Sequence, residues 1–375
     1  MPLPPILESE IGHVPERDDR GDWRWQLRNA IRDLEGLERA FVLTAEERDG
    51  ARRALAGGFP LSITPYYASL ADPRDPSCPI RLQCVPRAAE SRQVPGDRVD
   101  PLGEVAHEVA PRLVRRYPDR VLLLVTDRCS VYCRFCTRSR MVGRGGGTAS
   151  VDVLEPALGW IAAHPEIRDV IVSGGDPGLL SDARITELLE RLRRIEHVDT
   201  VRFATRVPVT LPQRVTPGFA EALRVHPSVW VMTHFNHPKE LTDEARAAIG
   251  RLVDAGLPVM NQTVLLRGVN DDADVIEALC RGLVRARARP YYLLQADPVR
   301  GSAHLRTPLH RGIALITALQ GRLSGIAMPR FVVDAPGGHG KVTVGPDWKA
   351  GERPGVTTIR TPRGTLVDYV DPPRD

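Results

Sequence analysis

Three cysteines, Cys129, Cys133 and Cys136, stand in a C-x3-C-x2-C spacing directly after the apolar run Val121–Val125. Three thiolates this close suit an iron–sulfur cluster better than a closed zinc site, which ordinarily takes four ligands. A cubane held by three protein thiolates leaves one iron open to a small molecule. A zinc site completed by a distant ligand, or three unrelated thiols, are the competing readings. The apolar run and the triplet read as a strand and the loop at its C-terminal end, where α/β barrels keep their chemistry.

Two glycine-rich segments carry further chemistry. In Ser173-Gly174-Gly175-Asp176-Pro177 the paired glycines let backbone approach a ligand closely, and Asp176 adds a carboxylate. Alone this is a common βα turn; one strand from the triplet it is a candidate site for the methionyl end of S-adenosylmethionine (SAM). Asp334-Ala335-Pro336-Gly337-Gly338-His339-Gly340-Lys341 is not a phosphate loop, because the G-x4-G-K-[ST] spacing is absent and Val342 follows the lysine. A glycine-rich loop ending in lysine suits a Schiff base with pyridoxal phosphate (PLP), whose aldehyde the amine must reach unobstructed. A mobile loop with a solvated lysine is the alternative. Lysines are scarce: Lys239, Lys341 and Lys349 are the whole set.

Arg116, Tyr117 and Arg120 together offer two guanidiniums and a phenol to a phosphate, or form a surface ion-pair cluster. Arg138, two residues past the last clustered cysteine, is placed to clamp a substrate carboxylate, against the reading of a solvated loop arginine. Asp297 and Asp334 each close a strand, so their carboxylates face one mouth. Singly each reads as a turn or helix cap; jointly they favour an ammonium or guanidinium.

The elements that must hold these groups follow from periodicity. Beyond residue 115, short β-branched runs alternate with amphipathic helical stretches. Strands are expected at Arg120–Thr126, Asp169–Ser173, Thr200–Thr205, Ser228–His234, Pro258–Leu266 and Pro290–Gln295, with helices between them. Asp182 and Thr242 read as N-caps and Gly256 as a stop. This is an α/β chain, an incomplete (β/α)6-type barrel with right-handed crossovers. We divide it into a loose arm (1–20), a mostly helical region (21–114, including a helix at Val105–Arg115), the partial barrel (115–305) and a C-terminal segment (306–375). That last segment holds a seventh strand, Arg330–Val333, the Lys341 loop and a tail hairpin over Val356–Val370.

Composition sets the bounds. In 375 residues, 42% hydrophobic, no run approaches the ~18 apolar residues of a membrane span, and no signal-peptide pattern opens the chain. A net charge of +4 is too mild to argue for nucleic acid. Six cysteines, three of them clustered, do not make a secreted disulfide framework in a chain this long, and a reducing cytoplasm is the expected compartment.

Taken together these segments resemble the lysine 2,3-aminomutase family of radical SAM enzymes. The resemblance begins at Asp22-Trp23-Arg24-Trp25 and continues through Ile63-Thr64-Pro65-Tyr66-Tyr67 and the cysteine triplet. It then takes in Thr233-His234-Phe235-Asn236-His237, Asn261-Gln262-Thr263 through Asp271, and the Lys341 loop. It implies that Cys129, Cys133 and Cys136 hold a 4Fe–4S cluster and that Lys341 carries PLP. By the same resemblance Arg116, Tyr117 and Arg120 contact PLP. Ser173, Gly174, Gly175, Asp176, His234 and Gln262 contact SAM or PLP. It further implies that Arg138 takes the substrate carboxylate and that Asp297 and Asp334 take its distal ammonium.

The expected reaction moves the α-amino group of L-lysine to C3, giving β-lysine. Arginine is the rival substrate, and a radical SAM enzyme acting on a protein-bound lysine or on RNA is the further alternative. The expected partners are a free amino acid, a one-electron reductant such as flavodoxin or ferredoxin, and further copies of the chain in a homo-oligomer, with no nucleic acid and no membrane. Two departures stand out. No cysteine follows Cys280, and Asp272 follows Asp271 where relatives carry a zinc-ligating cysteine, so no zinc site is expected. His339 also stands where the family tends to have glycine.

Overall fold

The structure is a computed structural model describing residues 20–372. The arm expected over 1–20 lies outside the described residues but for Arg20. Ten strands form one sheet in chain order. They are β1 (Glu108–Ala110), β2 (Leu113–Tyr117), β3 (Arg120–Thr126), β4 (Asp169–Gly174), β5 (Thr200–Ala204), β6 (Val229–Thr233), β7 (Val259–Leu265), β8 (Arg289–Gln295), β9 (Arg330–Ala335) and β10 (Gly340–Thr343). Every pairing from β3 to β9 is parallel, which aligns the C-terminal ends of these strands on one rim. β1, β2 and β10 add antiparallel edges.

Helices cover the outer face for the reasons their sequences give. Over Asp243–Asp254, Ala245, Ala248, Ile249 and Leu252 are buried at i, i+3, i+4 and i+7, the stripe that must face a sheet. Thr242 caps that helix by accepting from Ala245 N–H at 3.1 Å, and Gly256, at φ 84°, takes the left-handed turn that ends it. The cap of the helix Asp182–Arg193 is Ser181, one residue before the expected Asp182. The helix Leu309–Leu319 serves as the crossover that sets β9 beside β8. Gly312 permits this, since a Cβ there would sit 2.1 Å from the Phe331 ring.

The helix expected over Val105–Arg115 does not form. A short 3-10 turn (Val105–His107) leads into β1, and Arg112, at φ 66°, turns the chain into β2. Pro111 lacks the amide that a continuing helix would need, and Leu113-Val114 are buried as strand residues. The rest of the N-terminal region is helical, with Trp23–Arg28, Leu34–Ala40, Ala45–Leu55, Pro65–Ser69 and Pro79–Cys84. A buried ion pair, Glu47 with Arg81, both fully inaccessible, locks it together.

No ladder joins β10 to β1. The gap is spanned instead by single bonds: Lys341 N–H donates to the Tyr117 hydroxyl at 2.8 Å, and Gly337 N–H to the Pro101 carbonyl at 2.9 Å. The tail forms its own antiparallel sheet, β11 (Lys349–Arg353), β12 (Val356–Arg360) and β13 (Leu366–Val370), adding one strand to the expected hairpin. Among the described residues no helix is long and apolar enough to cross a membrane.

Candidate active site

The cysteine loop leaves β3 and is pinned to the N-terminal helical region. Tyr132 N–H donates to Ser62 O at 3.0 Å and Arg134 N–H to Gln83 O at 2.9 Å. The Arg134 side chain adds bonds to Glu90 and to the Pro60 carbonyl, each at 2.8 Å. All three clustered cysteines are free thiols, as are the buried Cys78, Cys84 and Cys280. Burial pushes the Cys129 thiol well up and the Cys136 thiol up to about 12. Thiols so placed become thiolates only beside compensating positive charge, which a metal cluster supplies. Arg206 Nη1 already donates to Cys133 Sγ at 2.7 Å. Three soft donors on one loop, with a guanidinium among them, fit a 4Fe–4S cluster.

The paired glycines of the next loop approach backbone. A Cβ on Gly174 would lie 2.3 Å from Thr126 O, and one on Gly175 2.4 Å from Arg128 O. Gly175 N–H donates to Thr126 O at 2.6 Å and Asp176 N–H to Arg128 O at 2.7 Å. The glycines therefore let this loop lie flat against the chain entering the cysteine triplet, and Ser173 Oγ remains 3.4 Å from Arg138. The buried Asp176 carboxylate accepts from Thr205 Oγ1 at 2.5 Å, Arg206 N–H at 2.8 Å and Gly178 N–H at 2.9 Å. Burial raises its pKa. Asp176 thus anchors the turn that carries Arg206.

Arg206 is a functional residue that the sequence reading missed. Besides Cys133, its guanidinium donates to Gln83 at 2.7 Å, Glu240 at 2.8 Å and Tyr67 at 3.2 Å. Glu240 also accepts from Tyr67 O–H at 2.7 Å and from Asn236 N–H at 2.6 Å. The signal available was faint: an arginine one residue after a strand-end threonine. His234 sits edge-on to Phe135, ring centroids 5.7 Å apart, with Nε2 buried and unpartnered. Burial, helped by Arg206, pushes its pKa down to about 3, so the ring is neutral. Gln262 lies partly buried on β7, between the buried Asn261 and Thr263.

The other half of the mouth gathers around Lys341. Residues 336–339 form a tight turn between β9 and β10, pairing Lys341 with Asp334 across the strands. Lys341 Nζ is ion-paired with Asp334 Oδ2, while Arg116 Nη2 reaches Asp334 Oδ1 at 2.8 Å. Arg116 Nε is buried without a partner, an orphan donor on the same guanidinium. Gly340, at φ 93°, lies against the Tyr117 ring, where a Cβ would stand 3.4 Å away. Arg120 stacks 4.7 Å from the Tyr117 ring centroid and is paired with Asp119 at 2.8 Å. A Lys, an orphan guanidinium donor and a phenol brought together where β10 meets β2 fit PLP.

Burial pushes the Asp297 carboxyl up to about 7, reinforced by Asp334 and opposed by Lys341, Arg116 and Arg138. Asp334, Lys341, Arg116 and Arg138 therefore all lie within electrostatic reach of Asp297. Arg138 is held by Glu104, which accepts from its Nε at 2.9 Å and its Nη2 at 2.8 Å. Glu104 also takes Arg140 at 2.8 Å. Burial would lift the Glu104 carboxyl, yet the two guanidiniums hold it below the usual range. No motif announced Glu104.

A curved parallel sheet whose C-terminal rim holds a three-cysteine loop defines a radical SAM enzyme. The model of the Radical SAM superfamily matches residues 123–279, and that of Lysine-2,3-aminomutase matches residues 316–375. L-lysine 2,3-aminomutase of Fusobacterium nucleatum is 44% identical over 95% of this chain and 83% of its own length. That of Clostridium subterminale is 45% identical over 94% and 85%. Glutamate 2,3-aminomutase of Clostridioides difficile is 37% identical over 95% and 84%. The chain belongs to the lysine 2,3-aminomutase family and is an isomerase. A radical SAM methyltransferase structure from Sphaerobacter thermophilus aligns over 59% of this chain and 68% of its own at a TM-score of 0.40 and 22% identity.

Proposed function

We propose that this enzyme converts L-lysine into β-lysine, with a 4Fe–4S cluster on Cys129, Cys133 and Cys136, SAM on its open iron and PLP on Lys341. The observation that carries the substrate is the carboxylate pair: Asp334 already receives an alkylammonium, that of Lys341, with Asp297 beside it. An ammonium at the far end of a substrate is the same chemical group. With Lys341 holding PLP, Asp334 Oδ2 would be open to another cation while Oδ1 keeps Arg116.

The cofactors supply a radical able to take hydrogen from C3 and a carrier for the migrating nitrogen. The protein positions and shields. Arg138 presents Nη1 beside Ser173 to the substrate carboxylate, while Asp297 and Asp334 take the distal ammonium, fixing C3 between them. Arg116 and Tyr117 would hold PLP beside Lys341, with Arg120 stacked on the Tyr117 ring. His234, one residue past β6, and Gln262, within β7, would contact SAM. A one-electron carrier supplies the reducing equivalent.

Relatives bearing the lysine name support this reading over glutamate, since two carboxylates would repel an acidic side chain. Arginine is the second reading, favoured by the Arg116 guanidinium that Asp334 also accepts. The deciding test supplies iron, sulfide, PLP, SAM and dithionite anaerobically with L-lysine, L-arginine or L-glutamate in turn. Chromatography of derivatised products is expected to show β-lysine. β-Arginine or β-glutamate instead would move the substrate; no β-isomer despite SAM cleavage would overturn the proposal.

A further inference from the structure

A cavity of ≈ 330 Å³ opens between the N-terminal helical region and the cysteine loop, and Cys136 forms part of its wall. None of Lys341, Asp334, Asp297, Ser173, His234 or Gln262 lines it. Six arginines do: Arg53, Arg87, Arg134, Arg140, Arg144 and Arg300, with Glu90 as the acid on the wall.

Four of the six are neutralised: Arg134 by Glu90, Arg140 by Glu104 at 2.8 Å and Asp100 at 3.5 Å, Arg87 by Glu46 and Glu47, each at 3.8 Å, and the exposed Arg53 by Asp49 at 2.8 Å. Two at the rim are not. Arg144 is exposed and bonds only the Gly57 carbonyl, at 3.4 Å, and Arg300 is exposed with no acidic partner among the described residues. The result is a positively charged entrance that ends at one of the three clustered thiols.

We infer that this entrance is the docking surface for an acidic one-electron carrier protein, which delivers its electron through the Cys136 edge. The inference rests on the cluster assignment above and adds where the carrier docks and the route of its electron. Charge complementarity selects the occupant: uncompensated arginines at a rim steer an acidic protein and raise its on-rate. Position selects the role, because a carrier docked here reaches the cluster edge without entering the mouth that must exclude water. The step balances simply. The reduced carrier loses one electron and the cluster gains it; no bond is made and no proton transferred.

The test uses the full chain with its cluster rebuilt, no amino acid present, and flavodoxin as the acidic carrier. Titration calorimetry with oxidised flavodoxin reads binding; stopped-flow bleaching of the cluster by reduced flavodoxin reads electron transfer. Both are expected to weaken as salt rises, and R144E/R300E is expected to weaken both by about tenfold or more. Reduction by the methyl viologen radical, a cation, is expected to be unslowed, and R285E, an exposed arginine on the helix Ala273–Arg285, to behave as the parent. Unchanged binding and rate in R144E/R300E would overturn the inference. So would equal slowing by viologen or an equal effect of R285E, which would place the cause in the cluster or in net charge. Since no substrate is used, failure to form β-lysine leaves this outcome unaffected.

Discussion

The two halves of the mouth are built on different principles. Around the cysteine loop, polar groups are tied to backbone and to one another: Asp176 to two amides and Thr205, Glu240 to Tyr67, Arg206 and Asn236. Around Lys341, side-chain charges face side-chain charges, Lys341 and Arg116 on Asp334 and Arg138 on Glu104, with Asp297 left near neutrality. A network anchored to backbone holds one geometry and resists exchange. Ion pairs between side chains can release one partner for a ligand of like charge. The first half is a mount, and the second is a set of interchangeable contacts.

The comparison can be broken most sharply at Lys341. Lys341→Ala should abolish β-lysine formation and the aldehyde–lysine absorbance near about 420 nm that borohydride removes. The melting temperature should barely move. A large loss of stability would show that Lys341 belongs to the mount after all.

Glu240→Ala is the converse. It strands the buried Arg206 guanidinium and should cost about 3–5 kcal/mol of stability, read from denaturant midpoints at constant slope. A cost under about 1 kcal/mol, the scale of an exposed pair, would dissolve the distinction between the halves.

Smaller effects sharpen it. Asp297→Asn and Asp334→Asn each remove one charge-assisted bond to a cationic substrate, worth roughly 1.5–3 kcal/mol, so KM for lysine should rise about 10- to 100-fold. Unchanged KM in both would remove them from binding.

The smallest effect is a pH dependence. Asp297 is neutral below about 7 and charged above it. An ammonium is held better by the charged form, so KM for lysine should fall as pH rises between about 6 and 8, and Asp297→Asn should flatten that slope. A slope that survives the substitution would assign the titration elsewhere.

Much of the barrel was legible because its signals are local. Val121–Val125 and its six successors are short β-branched runs, and their strands agree with expectation to within a residue or two. The Val105–Arg115 segment was misread because its apolar spacing tolerates a helix, while Pro111 and the left-handed Arg112 decide otherwise. The glycine pair at 174–175 was visible, but its contact with the Thr126 and Arg128 carbonyls was not, since that contact is between distant segments.

By itself the sequence determined the donor types: three thiols in one loop, one lysine in a glycine-rich turn, and carboxylates at strand ends. Residue type and local spacing suffice for these because the chemistry resides in the side chain itself. The tertiary structure alone decided which charges meet. Arg206 reaches Cys133 from 73 residues away, Arg138 meets Glu104 across 34, and Arg116 meets Asp334 across 218. Electrostatic pairing depends on distance in space and burial, and only the curl of the sheet brings β2 and β9 close enough to share one mouth.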